Sequence, residues 1–215
     1  MLDNPGSMSE EEVRENADAD PAEWWDEVYE KDAPAPWDIG RPQPAFVELA
    51  ESDDIEGRVL DAGCGTGTYA LWAAERGHPT VGADVSESGI QCAREKAEDR
   101  DRDLDVTFRL ADALDLPADL GPFNTVLDSG LFHAFETDQR ATYADTLAGV
   151  VSSRGTVFVL GFGDGAPEDW GPNPFGPEDV REAFADGWTV REVRETEFET
   201  RERPVPGLLA VVERV

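Results

Sequence analysis

The sequence predicts a doubly wound α/β domain built on a mostly parallel sheet. Three observations carry that prediction. Short apolar runs alternate with helix-patterned stretches, a glycine-rich turn follows the first run directly, and 215 residues supply one core of ordinary size rather than two. Two apolar runs follow one another near the end with no helix between them, which predicts one antiparallel strand there and seven strands in all.

The elements follow in order. Residues 1–20 are acidic and poor in large apolar groups, the composition of a disordered segment. Residues 21–215 are expected to form a single domain, with a helical cap over 21–52 and the sheet-bearing core over 57–215. In the cap, PAEWWDEVYEKDAPAPWDIGRPQP predicts a helix over 21–31 with Pro21 in its first turn, then an irregular segment through Pro34, Pro36 and Pro42. A short helix over 44–51 follows. Trp24, Trp25 and Trp37, half of the six tryptophans, fall in this stretch and suggest a cover over something.

RVLDAG then reads as a buried strand and TYALWAAERG as a helix closed by Gly77. TVGADV is the next strand, and the helix from Ser86 places Ile90, Ala93 and Ala97 on one face. LDVTFRL alternates Leu104, Val106, Phe108 and Leu110 with polar residues, as a strand does. A polar loop, ADALDLPADLG, leads to the strand FNTVLD. A helix from about Asp138 carries Tyr143, Leu147 and Val150, and the strand TVFVLGF follows it. The 161–176 stretch, GFGDGAPEDWGPNPFG, reads as a loop too long for a simple connection, which makes its Trp170 and Phe175 candidates for lining a substrate pocket. The tail holds a helix opened by Pro177, with Val180, Ala183 and Phe184 inward, and the strands WTVREV and GLLAVVERV.

Composition restricts the partners. Eighteen basic residues against 48 acidic ones give a net charge of −30, and no stretch supplies the basic patch that binds phosphates, so nucleic acid is not an expected partner. No apolar run is long enough to span a membrane, and the start, MLDNPGSMSEEEVREN, has neither a basic head nor a hydrophobic segment, so the expected location is the cytoplasm. The acid is spread along the whole chain and only Lys31 and Lys96 are lysines, a pattern resembling proteins of salt-accumulating halophiles. Two cysteines, Cys64 and Cys92, and two histidines, His78 and His133, make neither a disulfide framework nor an expected metal site.

In a doubly wound sheet the ligand lies beyond the carboxyl ends of the strands, where the strand order reverses. The first strand runs into Asp61-Ala62-Gly63-Cys64-Gly65-Thr66-Gly67 just before a helix. Glycines there permit a tight turn and close approach of a ligand to the backbone. Their spacing is every second residue, and Thr68 stands where a dinucleotide fingerprint has glycine or alanine. Strand two ends at Asp84, followed by Val85, and a carboxylate there accepts hydrogen bonds from the two hydroxyls of a ribose. Asp112 follows strand three, where it suits an exocyclic amine while the N–H of Ala113 meets a ring nitrogen. Strand four ends at Asp128-Ser129. Acids at successive strand ends, with no cation to hold phosphates, describe a positively charged nucleoside. Asp61 and Asp128 have two readings each: contact with the ligand, or bracing of their own loops.

DAGCGTG, GADVS, LADALDLP and FNTVLDSGLFHAF, in this order, resemble the successive motifs of the class I S-adenosylmethionine-dependent methyltransferases, which are Rossmann-like. PWDIGRPQP and the aromatics upstream are similar to the amino-terminal cap of the thiopurine, thiol and halide methyltransferases and of related heterocyclic toxin methyltransferases. The resemblance implies S-adenosyl-L-methionine as cofactor and a small-molecule methyl acceptor, a thiol or a heterocyclic nitrogen, oxygen or sulfur. It also implies that Trp25, Tyr29 and Trp37 close over the cofactor, that Gly63, Gly65 and Gly67 approach it, that Asp84, Asp112 and Ala113 hold its nucleoside, and that Ser129 sits at its methionine end. Ser129 departs from the aromatic residue of the plant halide and thiol enzymes, which argues against halide. His133, just after the fourth strand, is the candidate catalytic base, with a satisfied structural histidine as its rival. The alternatives to an enzyme of this kind are a donor-binding sensor or inactive relative, and a nicotinamide-dependent dehydrogenase, which Thr68 disfavours.

Overall fold

The structure, a computed structural model, describes residues 21–31, 33–167 and 173–215. The expected disordered segment 1–20 and the candidate Trp170 lie outside the described residues. Seven strands form one sheet: β1 (Val59–Ala62), β2 (Thr80–Asp84), β3 (Val106–Leu110), β4 (Phe123–Ser129), β5 (Val151–Phe162), β6 (Trp188–Phe198) and β7 (Val205–Arg214). Their order across the sheet is β3-β2-β1-β4-β5-β7-β6. The β1–β2, β1–β4, β2–β3 and β4–β5 pairings are parallel, whereas β7 runs antiparallel to both β5 and β6. The chain therefore winds one way from β1 to β3 and the other way from β4 onward, with the switch point between β1 and β4.

Burial explains the strand sequences. All four residues of β1 and all five of β2 are buried, because helices cover the sheet on both sides and leave no solvated face. Leu60, Val126, Val157, Val159 and Ala210 point into a core shared with Tyr143 and Leu147 of α5 (Thr137–Val150) and Val180 of α6 (Pro177–Ala183). Val59, Leu127, Phe158, Leu160 and Leu209 point the other way, against Phe46 and Leu49 of α2 (Pro44–Glu51) and Ala73 of α3 (Thr68–Glu75). The helix α4 (Glu87–Glu98) packs Ile90 and Ala93 beside Phe108 of β3, and Ser86 caps its start by accepting the N–H of Gly89 at 2.9 Å. The cap opens with α1 (Pro21–Tyr29), two residues shorter than the sequence pattern predicts.

Three details differ from the sequence reading. Leu110 is 56% exposed because β3 is an edge strand and its last residue reaches past the helices. Gly161 and Phe162 belong to β5, paired with Leu208 and Gly207 of β7, so the long connection starts only at Gly163. Phe175 is not a pocket wall: it is completely buried, meets Phe132 edge-on with centroids 5.0 Å apart, and its N–H is bonded to the Phe162 carbonyl at 3.0 Å. Phe175 directly follows Pro174, and its apolar ring folds into the core because water offers it nothing.

The turn between β6 and β7 clasps the cap. Gln43, fully buried, donates from Nε2 to the Glu199 carbonyl and accepts the Glu199 N–H, both at 2.8 Å. Arg201 donates its backbone N–H to the Pro36 carbonyl at 2.8 Å and its Nε to the Asp38 carbonyl at 2.6 Å, and Arg41 pairs with Glu199. Gln43→Ala takes the partner from the half-buried N–H and carbonyl of Glu199, and we expect a loss of about 1–3 kcal/mol in unfolding free energy. Chemical denaturation of the two proteins measures it.

Candidate active site

The carboxyl ends of β1, β2 and β4 converge at the switch point, where the glycine turn sits. Gly63, Gly65 and Gly67 have φ of +67°, +47° and +83°, a left-handed conformation that side chains resist. The turn is stitched to the end of β2: the N–H groups of Gly63 and Cys64 both donate to the Ala83 carbonyl, at 2.9 and 3.0 Å. Asp84 completes the stitching, its Oδ2 accepting the Gly65 N–H at 2.7 Å and its Oδ1 the Ser86 N–H at 2.9 Å.

Three buried carboxylates lie around this turn, and burial pushes each toward its protonated form. Asp61 rises to about 8, opposed by the Ala70 N–H it accepts at 2.8 Å and assisted by the charge of Asp84. Asp128 rises to about 7, with the N–H groups of Phe132 and Leu131 holding it down. Asp84 is raised too, by desolvation against its backbone bonds. The bracing reading thus describes the contacts that Asp61 and Asp128 make: Asp61 ties down the start of α3, and Asp128 Oδ1 fixes the turn after β4 at 2.9 and 3.2 Å. Asp128 Oδ2 is buried, and the Tyr143 hydroxyl also holds the group down. Carboxyl groups are concentrated here, and a cation bound beside them favours their charged forms.

The cap closes this ring. Trp25 stacks on Tyr29 with centroids 6.1 Å apart and meets Trp37 edge-on at 5.8 Å, so the three aromatics expected to act together do meet. Tyr29 lies directly on the turn; a Cβ at Gly65 would stand 2.6 Å from its hydroxyl. Burial, and the charges of Asp84, Cys64 and Asp38, raise its phenol well above the usual range. Trp24 packs against the edge of Trp25 at 4.4 Å. Ser129 donates its hydroxyl to Tyr69 at 2.8 Å, and Val85 is half-buried next to Asp84. Asp112 is exposed and accepts the Leu114 N–H at 2.8 Å, with the half-buried Ala113 between them. A surface depression of about 430 Å³ lies at the opposite rim, lined by Asp53, Asn124 and Arg154, away from all of these groups.

His133 is placed differently from the expectation of a base. It is buried between Phe162, 4.7 Å away centroid to centroid, and Phe198 at 5.9 Å, and its Nδ1 accepts the Phe162 N–H at 2.8 Å. With Nδ1 committed as acceptor, the neutral ring carries its proton on Nε2 and has no lone pair free to take another. Burial, aided by the charge of Arg140, lowers its pKa to about 3. The geometry is that of the satisfied structural histidine.

The sequence reading missed several residues of the site. Asp26 of α1 accepts the Ser86 hydroxyl at 2.6 Å and the Ser88 N–H at 2.9 Å, which lowers its pKa. Asp38 accepts the Thr66 hydroxyl at 3.0 Å, and Tyr69 backs Ser129 while meeting Phe46 edge-on at 5.3 Å. One local signal existed for Asp38: the D-I-G spacing closes an Asx turn, with the Gly40 N–H on Oδ1 at 3.0 Å.

Comparison with known proteins decides the family. A family model described as a methyltransferase domain matches residues 59–155. A 2-heptyl-1-hydroxyquinolin-4(1H)-one methyltransferase of Mycobacteroides abscessus is 38% identical over 160 residues, 74% of this chain and 70% of that protein. The chain belongs to the class I S-adenosylmethionine-dependent methyltransferases. A solved structure from work on the conversion of a disulfide bond into a thioacetal group during echinomycin biosynthesis aligns with a TM-score of 0.79 at 34% identity, covering 90% of this chain and 92% of that one. A Synechocystis magnesium protoporphyrin IX methyltransferase with bound S-adenosylmethionine shares the fold at a TM-score of 0.61 and 21% identity, over 98% of this chain and 87% of that one. The methyltransferase uses S-adenosylmethionine as its methyl donor. Its residues fit that group on their own chemistry: left-handed glycines for close approach, buried carboxylates for a cation, and aromatic faces above them.

His133 supplies a pH test. Its folded pKa of about 3 lies below the unfolded reference of 6.5, so the stability it contributes is complete above pH 6.5 and is lost as pH falls from there toward 3. His133→Asn keeps an acceptor for the Phe162 N–H and removes the titration. Between pH 7 and 5 the melting midpoint of the wild type should shift downward relative to that of the variant, while methyl transfer by the variant stays within about three-fold of wild type.

Proposed function

We propose that this methyltransferase moves a methyl group to a small molecule whose nucleophile is a thiol or a heterocyclic nitrogen, oxygen or sulfur. The observation that carries the reading is the stack of Trp25 on Tyr29, edge-on to Trp37, with Tyr29 seated on a left-handed glycine turn beside buried carboxyls. Bound S-adenosylmethionine supplies a methyl carbon on a sulfonium, a cation with its leaving group built in. Asp84, at the tip of β2, is proposed to accept the ribose hydroxyls. Val85, Asp112 and Ala113 flank the adenine, and the backbone of Gly63, Gly65 and Gly67 meets the methionine part with Ser129 at its far end. Asp61 and Asp128 brace the two loops.

What the protein supplies is position and dryness. Holding nucleophile and methyl carbon in line contributes roughly 7–11 kcal/mol, and each aromatic face attracts the cation by about 0.5–2 kcal/mol. No proton acceptor is assigned to His133, so acceptors that ionise near neutrality are favoured. The heterocycle and the sulfur chemistry named for the two similar proteins support this choice of acceptor. Access runs past α1, which has no fully buried residue, rather than through the clasped segment 35–43.

Calorimetry tests the donor site: S-adenosylmethionine and S-adenosylhomocysteine should bind, NAD should not, and Asp84→Ala should weaken both ligands by about 10–100-fold. A labelled-methyl screen of thiols, hydroxyquinolines, thiopurines and halides then tests the acceptor. Donor binding with no methylated product in any class would favour a sensor, and NAD binding a dehydrogenase.

The charge of −30, with arginine in place of nearly all lysine, supports a further part of the proposal: the protein works in a salt-rich cytoplasm. At 1 M salt the screening length falls to about 3 Å, which removes most self-repulsion between exposed acids. No helix among the described residues is long and apolar enough to cross a membrane. The melting midpoint should rise steadily from 0.1 M to about 2 M potassium chloride, and a flat response would overturn the salt adaptation.

A further inference from the structure

We propose that Lys96 is a positioning residue for methyl transfer: through the Thr66 hydroxyl it holds Asp38, and with Asp38 the Trp37 turn of the cap, on the glycine turn. The inference rests on the donor site proposed above.

Lys96 Nζ lies 2.6 Å from Thr66 Oγ1, and Thr66 Oγ1 lies 3.0 Å from Asp38 Oδ2. The chemistry fixes the direction of this chain. An ammonium only donates and a carboxylate only accepts, so the hydroxyl between them takes a hydrogen bond from Lys96 and must send its single proton to Asp38. A hydroxyl that accepts from a cation is also a stronger donor to an anion. Three segments far apart in the sequence meet here: the last turn of α4, the middle of the glycine turn, and the cap.

The placement matters more than the energy. Thr66 stands between Gly65 and Gly67, so a hydroxyl with a settled direction steadies the turn whose backbone is to meet the donor. Asp38 heads a tight turn in which the Ile39 N–H donates to the Trp37 carbonyl at 3.1 Å and the Gly40 N–H to Asp38 Oδ1 at 3.0 Å, so fixing Asp38 fixes Trp37. Trp37 in turn is the edge-on neighbour of Trp25. The outer side of the same turn is held independently by the β6–β7 hairpin, through Arg201 on the Asp38 carbonyl and Glu199 on Gln43, so the relay is not needed to keep the cap folded. The composition adds a separate pointer: of eighteen basic residues only two are lysines, and one of them is here.

The test compares Lys96→Met, Thr66→Val, the double variant and Lys96→Arg. Readouts are S-adenosylhomocysteine affinity, the KM for S-adenosylmethionine, kcat, and the melting midpoint. We expect Lys96→Met to raise the product Kd and the donor KM about ten-fold with kcat within about two-fold and the melting midpoint unchanged. Thr66→Val should match it, the double variant should add nothing further, and Lys96→Arg, which keeps a donor-only cation, should recover most of the affinity. Wild-type affinity in Lys96→Met, additive losses in the double variant, or a weakening that follows the melting midpoint and is not rescued by arginine would overturn the proposal. A wild type that binds no S-adenosylhomocysteine would overturn the donor-site reading itself, and this role with it.

Discussion

The structure depends on the stitch between the glycine turn and the end of β2. A left-handed turn of alternating glycines has little conformational preference of its own, and glycine loses more freedom on ordering than any other residue. Its shape is imposed from outside: the Ala83 carbonyl takes two of its N–H groups and the Asp84 carboxylate a third. Asp84 also holds Ser86, and Ser86 caps α4 and receives Asp26 from the cap. One buried carboxylate therefore sets the turn, the start of a helix and the seat of α1 together. Placed one residue earlier on β2 it would point to the other face of the sheet.

Electrostatics and packing oppose each other here. Asp61, Asp84 and Asp128 are all forced upward by burial, and each is compensated mainly by backbone N–H donors rather than by cations. Backbone dipoles offset only part of the cost of charging these carboxyls, so a cationic ligand in the crevice favours their ionised forms and is favoured by them in turn. The rest of the chain carries the same sign, which places the few cations near the site in a distinctive position. Lys96 is bonded into the glycine turn, and Arg201 grips the cap from the hairpin.

The fold was legible because its signals are local and redundant. Apolar strands, a glycine turn and acids at strand ends recur at spacings that few other architectures accommodate, and the missing helix between the last two strands exposes the reversed one. The density of aromatics between prolines pointed to a cover, the family resemblance singled out Trp25, Tyr29 and Trp37, and these three do meet. What stayed hidden depends on contacts between distant segments. Asp38 and Lys96 are 58 positions apart (96 minus 38) and meet only through Thr66, and nothing near His133 in the sequence announces that the Phe162 N–H will occupy its Nδ1. Phe175 misled because a proline-rich, glycine-rich stretch looks solvated, whereas one aromatic ring suffices to pull the end of such a stretch inward.

The reversed direction of β7 has an architectural consequence. Since β6, on the far side of β7, thereby runs in the same sense as β5, the short turn joining β6 to β7 emerges at the rim that holds the strand tips and touches the cap there. A last strand in the ordinary sense would have required a helical crossover and left that rim with one fewer wall. The tip of this ribbon lies outside the doubly wound core, so a change there reshapes the mouth and the seat of the cap together while every strand that carries a donor loop stays as it is.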